Sequence, residues 1–265
     1  MRNRLTLLLF ALFSSIALVA QKPLLSESKI TPGEKLFYKV SFGFLTVGEA
    51  TIITKNELTS QQNTPCYHID ITGKTLGAVA WFAKVNDRWG AHLDSATLLP
   101  MMGYRNIREN SYRRDETTHF YQTKRKLRYQ RHNLKKAKPS DPKLLETKDE
   151  VMDLISAYQY LRRLDYDRIS QKDTVAIYGF FEDEFYDFNV LYAGIETIKT
   201  KYGKIKAHKL VPLMPDNDIF DGENAISIWI SADDNRIPLR IKADMLVGSG
   251  IVELSDYENT ARPLN

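Results

Sequence analysis

Hydrophobic and polar residues alternate with a period of two through most of this chain, the signature of strands that bury one face. Leu36, Tyr38, Val40 and Phe42 alternate with Phe37, Lys39 and Ser41. After Gly43 the run 44–54 continues as a second strand, whose internal Gly48 fits a bulge or a close backbone approach. Further strands are predicted at 66–73, at 84–93, from Pro100 onward, at 112–122 and at 126–132. Beyond residue 170 the pattern resumes at 173–180, 184–192, 196–200 and 205–212. The clearest hairpin pairs Ile226, Ile228 and Ile230 with Ile237, Leu239 and Ile241 across a turn at Asp233, Asp234 and Asn235. Pro238, which has no ladder donor, belongs at an edge or a bulge there. A last strand spans 251–257. Strand follows strand without a helical crossover, so antiparallel pairing is expected. The stretch 76–82, LGAVAWF, fits a short helix or a strand.

One segment breaks the alternation. In 147–164 the apolar positions Val151, Leu154, Ile155, Tyr158 and Leu161 recur at three- and four-residue steps, predicting an amphipathic helix. Thr147 and Glu150 have the spacing of a capping box at its start. Asp153, Gln159, Arg162 and Arg163 fall on the other faces, the two arginines near the negative end of the helix dipole. The lysine-rich stretch 134–148, with Pro139 and Pro142, reads as a loop leading in. A lone helix of this kind needs an apolar surface, which the strands must supply. The expected fold is mainly β: a curved antiparallel sheet or half-open barrel wrapped around one amphipathic helix. Two sheets with the helix packed across one is the second arrangement.

Composition adds an address. Arg2 and Arg4 precede the apolar run 5–20, and Ala20-Gln21 suits signal peptidase, so residues 1–20 read as a signal peptide and 21–265 as a single β-rich domain. An exported, periplasmic protein is expected, or a secreted one where no outer membrane exists. No cysteine follows the apolar run to carry a lipid, and the sole cysteine, Cys66, is expected as a small buried residue. Charge is uneven: 104–148 holds 14 Lys and Arg against 5 Asp and Glu, whereas 149–265 holds 13 against 21.

Candidate chemistry is sparse. The five histidines stand singly, at no metal-ligand spacing, so no metal and no cofactor is expected. Asp216, Asp218, Asp221 and Glu223 surround Gly222 without the spacing of a calcium loop, and a solvated turn is the preferred reading. Glu182, Asp183, Glu184 and Asp187, among phenylalanines, could supply paired carboxylates for glycoside hydrolysis. A charged hairpin turn explains them with less. Gly248-Ser249-Gly250 completes neither a nucleophile elbow nor a dinucleotide fingerprint. No catalytic motif is complete, and a non-enzyme is expected. The arginines of the basic middle would suit nucleic acid in a cytoplasmic protein, but export removes that partner. Anionic lipid headgroups, lipopolysaccharide or an acidic protein remain as partners, with membrane contact at most peripheral. The plainer reading is that these arginines and lysines are the solvated faces of strands.

The opening GEKLFYKVSFGFLTVGEATI and the closing ISIWISADDNRIPLRIKADMLVGSGIVEL resemble the exported bacterial proteins grouped as domain of unknown function 3108. The carrying parts are Gly33 to Val40, Leu45 to Ala50, the Trp229, Ser231, Asp234, Arg236, Pro238 stretch and Gly248 to Leu254, all of structural character. The resemblance implies an envelope protein and, by looser fold analogy, a half-barrel with a helical lid like the periplasmic lipoprotein carriers. The expected function is a soluble periplasmic binding or carrier protein for a lipid or other amphipathic envelope component. Its ligand wall is expected from Trp81, Phe82, Trp89, Leu154, Tyr158 and Trp229. The alternative is an envelope protein–protein interaction module with a solid core.

Overall fold

The computed structural model describes residues 25–26, 30–132, 140–213, 222, 224–246 and 248–264. The expected signal peptide and the acidic positions Asp216, Asp218, Asp221 and Glu223 lie outside the described residues.

The first half of the chain forms β1 (Lys35–Phe42), β2 (Leu45–Thr54), β3 (Thr59–Gln61), β4 (Thr64–Thr75), a one-turn helix α1 (Val79–Phe82), β5 (Asn86–Asp94), β6 (Pro100–Glu109), β7 (Tyr112–Tyr121) and β8 (Lys126–His132). Then come β9 (Lys143–Glu146), α2 (Leu154–Arg162), β10 (Thr174–Phe181), β11 (Glu184–Thr200), β12 (Gly203–Leu213), β13 (Ile226–Ser231), β14 (Pro238–Asp244) and β15 (Ser249–Glu258). All strands join one antiparallel sheet in the order β10-β11-β12-β13-β14-β15-β1-β2-β4-β5-β6-β7-β8-β9, with β3 paired onto β4. The sheet is mainly a meander, so the fold class expected from the alternation is what forms.

Hydrogen bonds do not close the sheet into a barrel, but its two ends approach through side chains. Phe180 and Val151 pack with Phe120, Leu127 and Tyr129 in one apolar cluster. The acidic β10–β11 hairpin pairs with the basic middle of the chain: Glu182 with Arg105, Asp183 with Lys143, and Asp187 with Lys148. The uneven charge along the chain is thus a seam between two parts of one molecule. The segment leading to α2 threads this gap. Met152 bonds β10 in parallel fashion, its N–H donating to Tyr178 O and its carbonyl accepting from Phe180 N–H.

That threading shortens the helix. Residues 147–152 are not helical, Thr147 is buried with no hydrogen-bond partner for its hydroxyl, and α2 starts at Leu154. The capping box is built one turn and a half later: Asp153 Oδ1 accepts from Ser156 N–H at 2.7 Å, and Ser156 Oγ accepts from Asp153 N–H at 2.9 Å. Gly103 of β6 makes room for it, since a Cβ there would stand 2.9 Å from Asp153 Oδ2. Gly48 is both a bulge and a close approach: the β1–β2 register shifts beside it, and a Cβ would meet Lys74 O at 2.7 Å.

α2 lies inside the bend. Ile155 packs against Ile69, Ala91 and Leu93 of β4 and β5, while Tyr160 and Leu161 pack against Val175, Ile177, Val190, Leu210 and Ile230 of β10 to β13. Touching both halves of the sheet places the helix on its concave face. Three further expectations shift. β9 forms within the stretch read as a loop, 184–200 is one long strand bulged at Gly194 rather than two, and 76–82 contains the short helix.

Candidate functional site

The end of α2 distant from Asp153 is pinned by a buried ion pair. Arg162, 1% exposed, donates from Nη1 and Nη2 to the two Glu34 oxygens at 2.7 and 2.9 Å, from Nη2 to the Asn235 carbonyl at 2.8 Å and from Nε to the Arg236 carbonyl at 2.9 Å. The helical wheel puts Arg162 on the polar side; instead it is among the most buried residues. The β13–β14 turn is shaped to present those carbonyls. Asp233 accepts from Ser231 Oγ, Asn235 N–H and Asn235 Nδ2, and Arg236 adopts a φ of 51°. Glu34, Ser231 and Arg236 all fall in the stretches on which the family resemblance rests, and this junction is their structural use. Burial together with the nearby Glu34 carboxylate pushes the Tyr158 hydroxyl up, and Tyr158 Oη lies 3.3 Å from Arg162 Nη1.

Above the start of α2 the concave face stays open. Ala50, Ile71, Gly73, Val85 and Trp89 wall a cleft of about 330 Å³ whose floor is Leu154 and Ile155. A narrow, partly open space continues past Trp89 to Gly103, Glu116, Thr118, Phe120 and Phe181. In-register pairing sets a row of side chains along this face: Trp89 opposite Arg105, Arg105 opposite Glu116, Glu116 opposite Arg131.

Arg105 is the centre of that row. Its guanidinium lies between two rings, 4.5 Å from Trp89 and 4.4 Å from Phe181, a cation–π sandwich. It donates to Glu116 at 3.2 Å and to Glu182 at 3.0 Å, while its Nε, buried, has no partner. Glu116 also pairs with Arg114, Arg131 and the Tyr129 hydroxyl. Burial and the Glu116 hydrogen bond push the Tyr129 hydroxyl up from its ordinary range. Three guanidinium groups therefore share two carboxylates, one of which, Glu182, is half exposed. The cleft has an apolar wall that ends on a cationic cluster.

The six residues expected to form a ligand wall are divided by the structure. Trp89 and Leu154 line the cleft. Tyr158 lies one helical turn beyond Leu154 and engages Arg162. Trp81 and Phe82 line nothing: α1 is a single turn with no buried residue, and both rings project into solvent. Trp229 is buried elsewhere, with Ile198, Ile205 and Leu239, its indole N–H donating to Glu196 at 2.9 Å. Ile228 and Ile230 face the helix, so the intervening Trp229 points to the opposite side. Sequence reasoning missed Ala50, Ile71, Ile155 and Phe181, and did not single out Arg105 from the other basic residues. The complementary charge of 104–148 and 182–187 was the available signal.

The histidines are not all solitary. His68 and His92, opposite each other on β4 and β5, stack at 4.2 Å on the convex face, with Thr59 Oγ1 2.7 Å from His92 Nδ1. His68, Asp70 and Tyr104 share hydrogen bonds, and Arg88 pairs with Asp70. Burial, with His68 beside it, lowers His92 to about 4. The two imidazoles pack beside Thr59 of β3, and among the described residues no three His, Cys, Asp or Glu side chains gather in metal-binding geometry. Cys66 is buried and free.

A family model described as "Protein of unknown function (DUF3108)" matches residues 38–255. No curated protein matches the chain. Among solved structures, a beta-barrel-like protein of domain of unknown function DUF1849 from Brucella abortus is similar, with a TM-score of 0.57 at 9% identity, over 88% of this chain and 100% of that one. At that identity the likeness concerns the fold alone.

Proposed function

Since the chain belongs to the DUF3108 family of proteins of unknown function, its chemistry has to be read from its own cleft, and we propose that it is a non-catalytic binding or carrier protein for an amphipathic anion. The carrying observation is the continuity of an apolar wall, Ala50, Ile71, Trp89 and Leu154, with the partly satisfied cation Arg105. A space of about 330 Å³ stands at the small end of ligand pockets, which suits one acyl chain rather than two. The tail lies on Trp89 and Leu154, and the anionic head replaces Glu182 at Arg105 and Arg114. Glu182 sits on a two-residue turn and is half exposed, so its displacement into water costs little. The exported address expected from residues 1–20 fits cargo of this kind. The open cleft favours this reading over an interaction module with a solid core.

Native mass spectrometry of the protein purified from its own host tests it. A stoichiometric added mass of lipid size is expected, lost on organic extraction and regained with a single-chain fatty acid but not with the matching alcohol. Protein that carries no added mass and takes up neither compound would overturn the proposal.

A further inference from the structure

Alternate turns of an antiparallel meander lie at the same end of the sheet. The β1–β2, β4–β5, β6–β7 and β14–β15 connections therefore share one end, and backbone bonds tie them together. Gly43 N–H donates to Ser249 O at 3.1 Å, Leu76 N–H to Val47 O at 2.9 Å, and Asn110 N–H to Lys84 O at 2.7 Å. Arg162, Glu34 and the β13–β14 turn occupy the opposite end, so this tied rim is the mouth of the cleft.

The rim is apolar where a solvated rim should be polar. Phe44 is 95% exposed, Trp81 89% and Phe82 73%, and Phe42, Leu45, Tyr112 and Leu246 join them. Every large exposed aromatic side chain among the described residues is at this end. Scattered exposed apolar residues need no explanation, but concentration on one edge does.

We propose that this rim seats on a phospholipid bilayer, placing the cleft mouth against the lipid surface. Three features favour a bilayer over a protein partner. The apolar groups sit on separate turn tips around an opening, rather than on one flat face. Trp81 and Tyr112 are of the type that settles at a membrane–water boundary. Lys84 and Arg113, beside these tips, form no salt bridge among the described residues, Arg113 bonding the Asn110 and Tyr112 carbonyls, and both lie where phosphate groups would be. A bilayer covers the tips and the mouth together, and a single-chain amphiphile then passes between lipid and cleft without crossing water. The inference rests on the carrier reading for its purpose but not for its test.

The test is co-sedimentation of the full chain with vesicles of phosphatidylethanolamine and phosphatidylglycerol. Wild type is expected to sediment with them. F44S, W81S and F82S, which remove largely exposed side chains, should each weaken partitioning about tenfold, given the cost of exposing a large apolar side chain. The triple variant should remain in the supernatant with an unchanged circular dichroism spectrum. Wild type that stays in solution, or a triple variant that sediments as wild type does, would overturn the proposal. Ile71→Trp, which fills the cleft, separates the two readings. Docking should survive it, whereas any uptake of fatty acid should not.

Discussion

Two arginines reach the concave face from opposite ends of the barrel-like sheet, and they are satisfied to different degrees. Arg162 meets both oxygens of one carboxylate, two carbonyls and a hydroxyl, and is almost fully buried. Arg105 meets two different carboxylates through single bonds, leaves Nε unpartnered, and borders a cleft. A completed network fixes one geometry, whereas an incomplete one in a cleft leaves capacity for something else. The contrast makes Arg162 a structural strut and, on the proposed reading, Arg105 the cation of the binding cleft.

The largest expected effect is at the strut. Arg162→Met leaves Glu34 buried without its partner, and loss of one member of a buried pair costs about 3–5 kcal/mol. Urea unfolding should show that loss, and the double variant Glu34→Leu/Arg162→Met should recover most of it, because an apolar pair of similar volume leaves no charge stranded. A double variant as unstable as the single would mean that the carbonyl contacts, not the ion pair, hold the helix.

Acid should act next, and at the same end. His208 is buried, bonded to the Tyr192 hydroxyl and to Arg236, and stacked on Tyr166 at 3.9 Å. Burial, with the Arg236 charge beside it, lowers His208 to about 4. A histidine depressed in the folded state contributes stability that is complete above its unfolded value of about 6.5 and is lost as pH falls toward 4. Protonation sets a second cation against Arg236, whose carbonyl accepts from Arg162. The unfolding midpoint should fall between pH 6.5 and pH 4, and His208→Gln should flatten that slope. His92, also lowered to about 4 but packed on the convex face, adds a parallel slope that His208→Gln leaves in place. An unchanged slope in His208→Gln would separate the strut from acid sensitivity.

Much of this architecture is legible from local pattern. Strands such as Ile226–Ser231 announce themselves because a half-buried strand repeats every two residues, and that repeat needs no knowledge of its partner. The start of α2 was not legible, because Thr147 and Glu150 match a capping box as well as Asp153 and Ser156 do. The choice was made by Met152 bonding to β10, a contact between distant parts of the chain. The cleft was harder for the same reason. Trp89, Arg105, Glu116 and Arg131 become neighbours only through the register of four strands. A one-residue slip would turn a strand's members of that row to the convex face. Arg162 misled in the other direction, since the helical wheel records a charge but not the Glu34 that waits for it.

The smallest expected effect is the most discriminating. Arg105→Met should change folding stability by less than about 1 kcal/mol, although the side chain is only 17% exposed. Glu116 keeps Arg114, Arg131 and the Tyr129 hydroxyl, so its carboxylate is not stranded, and Glu182 is exposed enough to be hydrated. The methionine takes the place between the Trp89 and Phe181 rings and makes sulfur–aromatic contacts there. Uptake of a fatty acid should nevertheless fall about tenfold or more, as the loss of a charge-assisted hydrogen bond implies. Stability near wild type with binding lost would place Arg105 on the binding side of the comparison. A destabilisation equal to that of Arg162→Met, with binding reduced only in proportion to unfolding, would make the two arginines equivalent struts and leave the cleft without its cation.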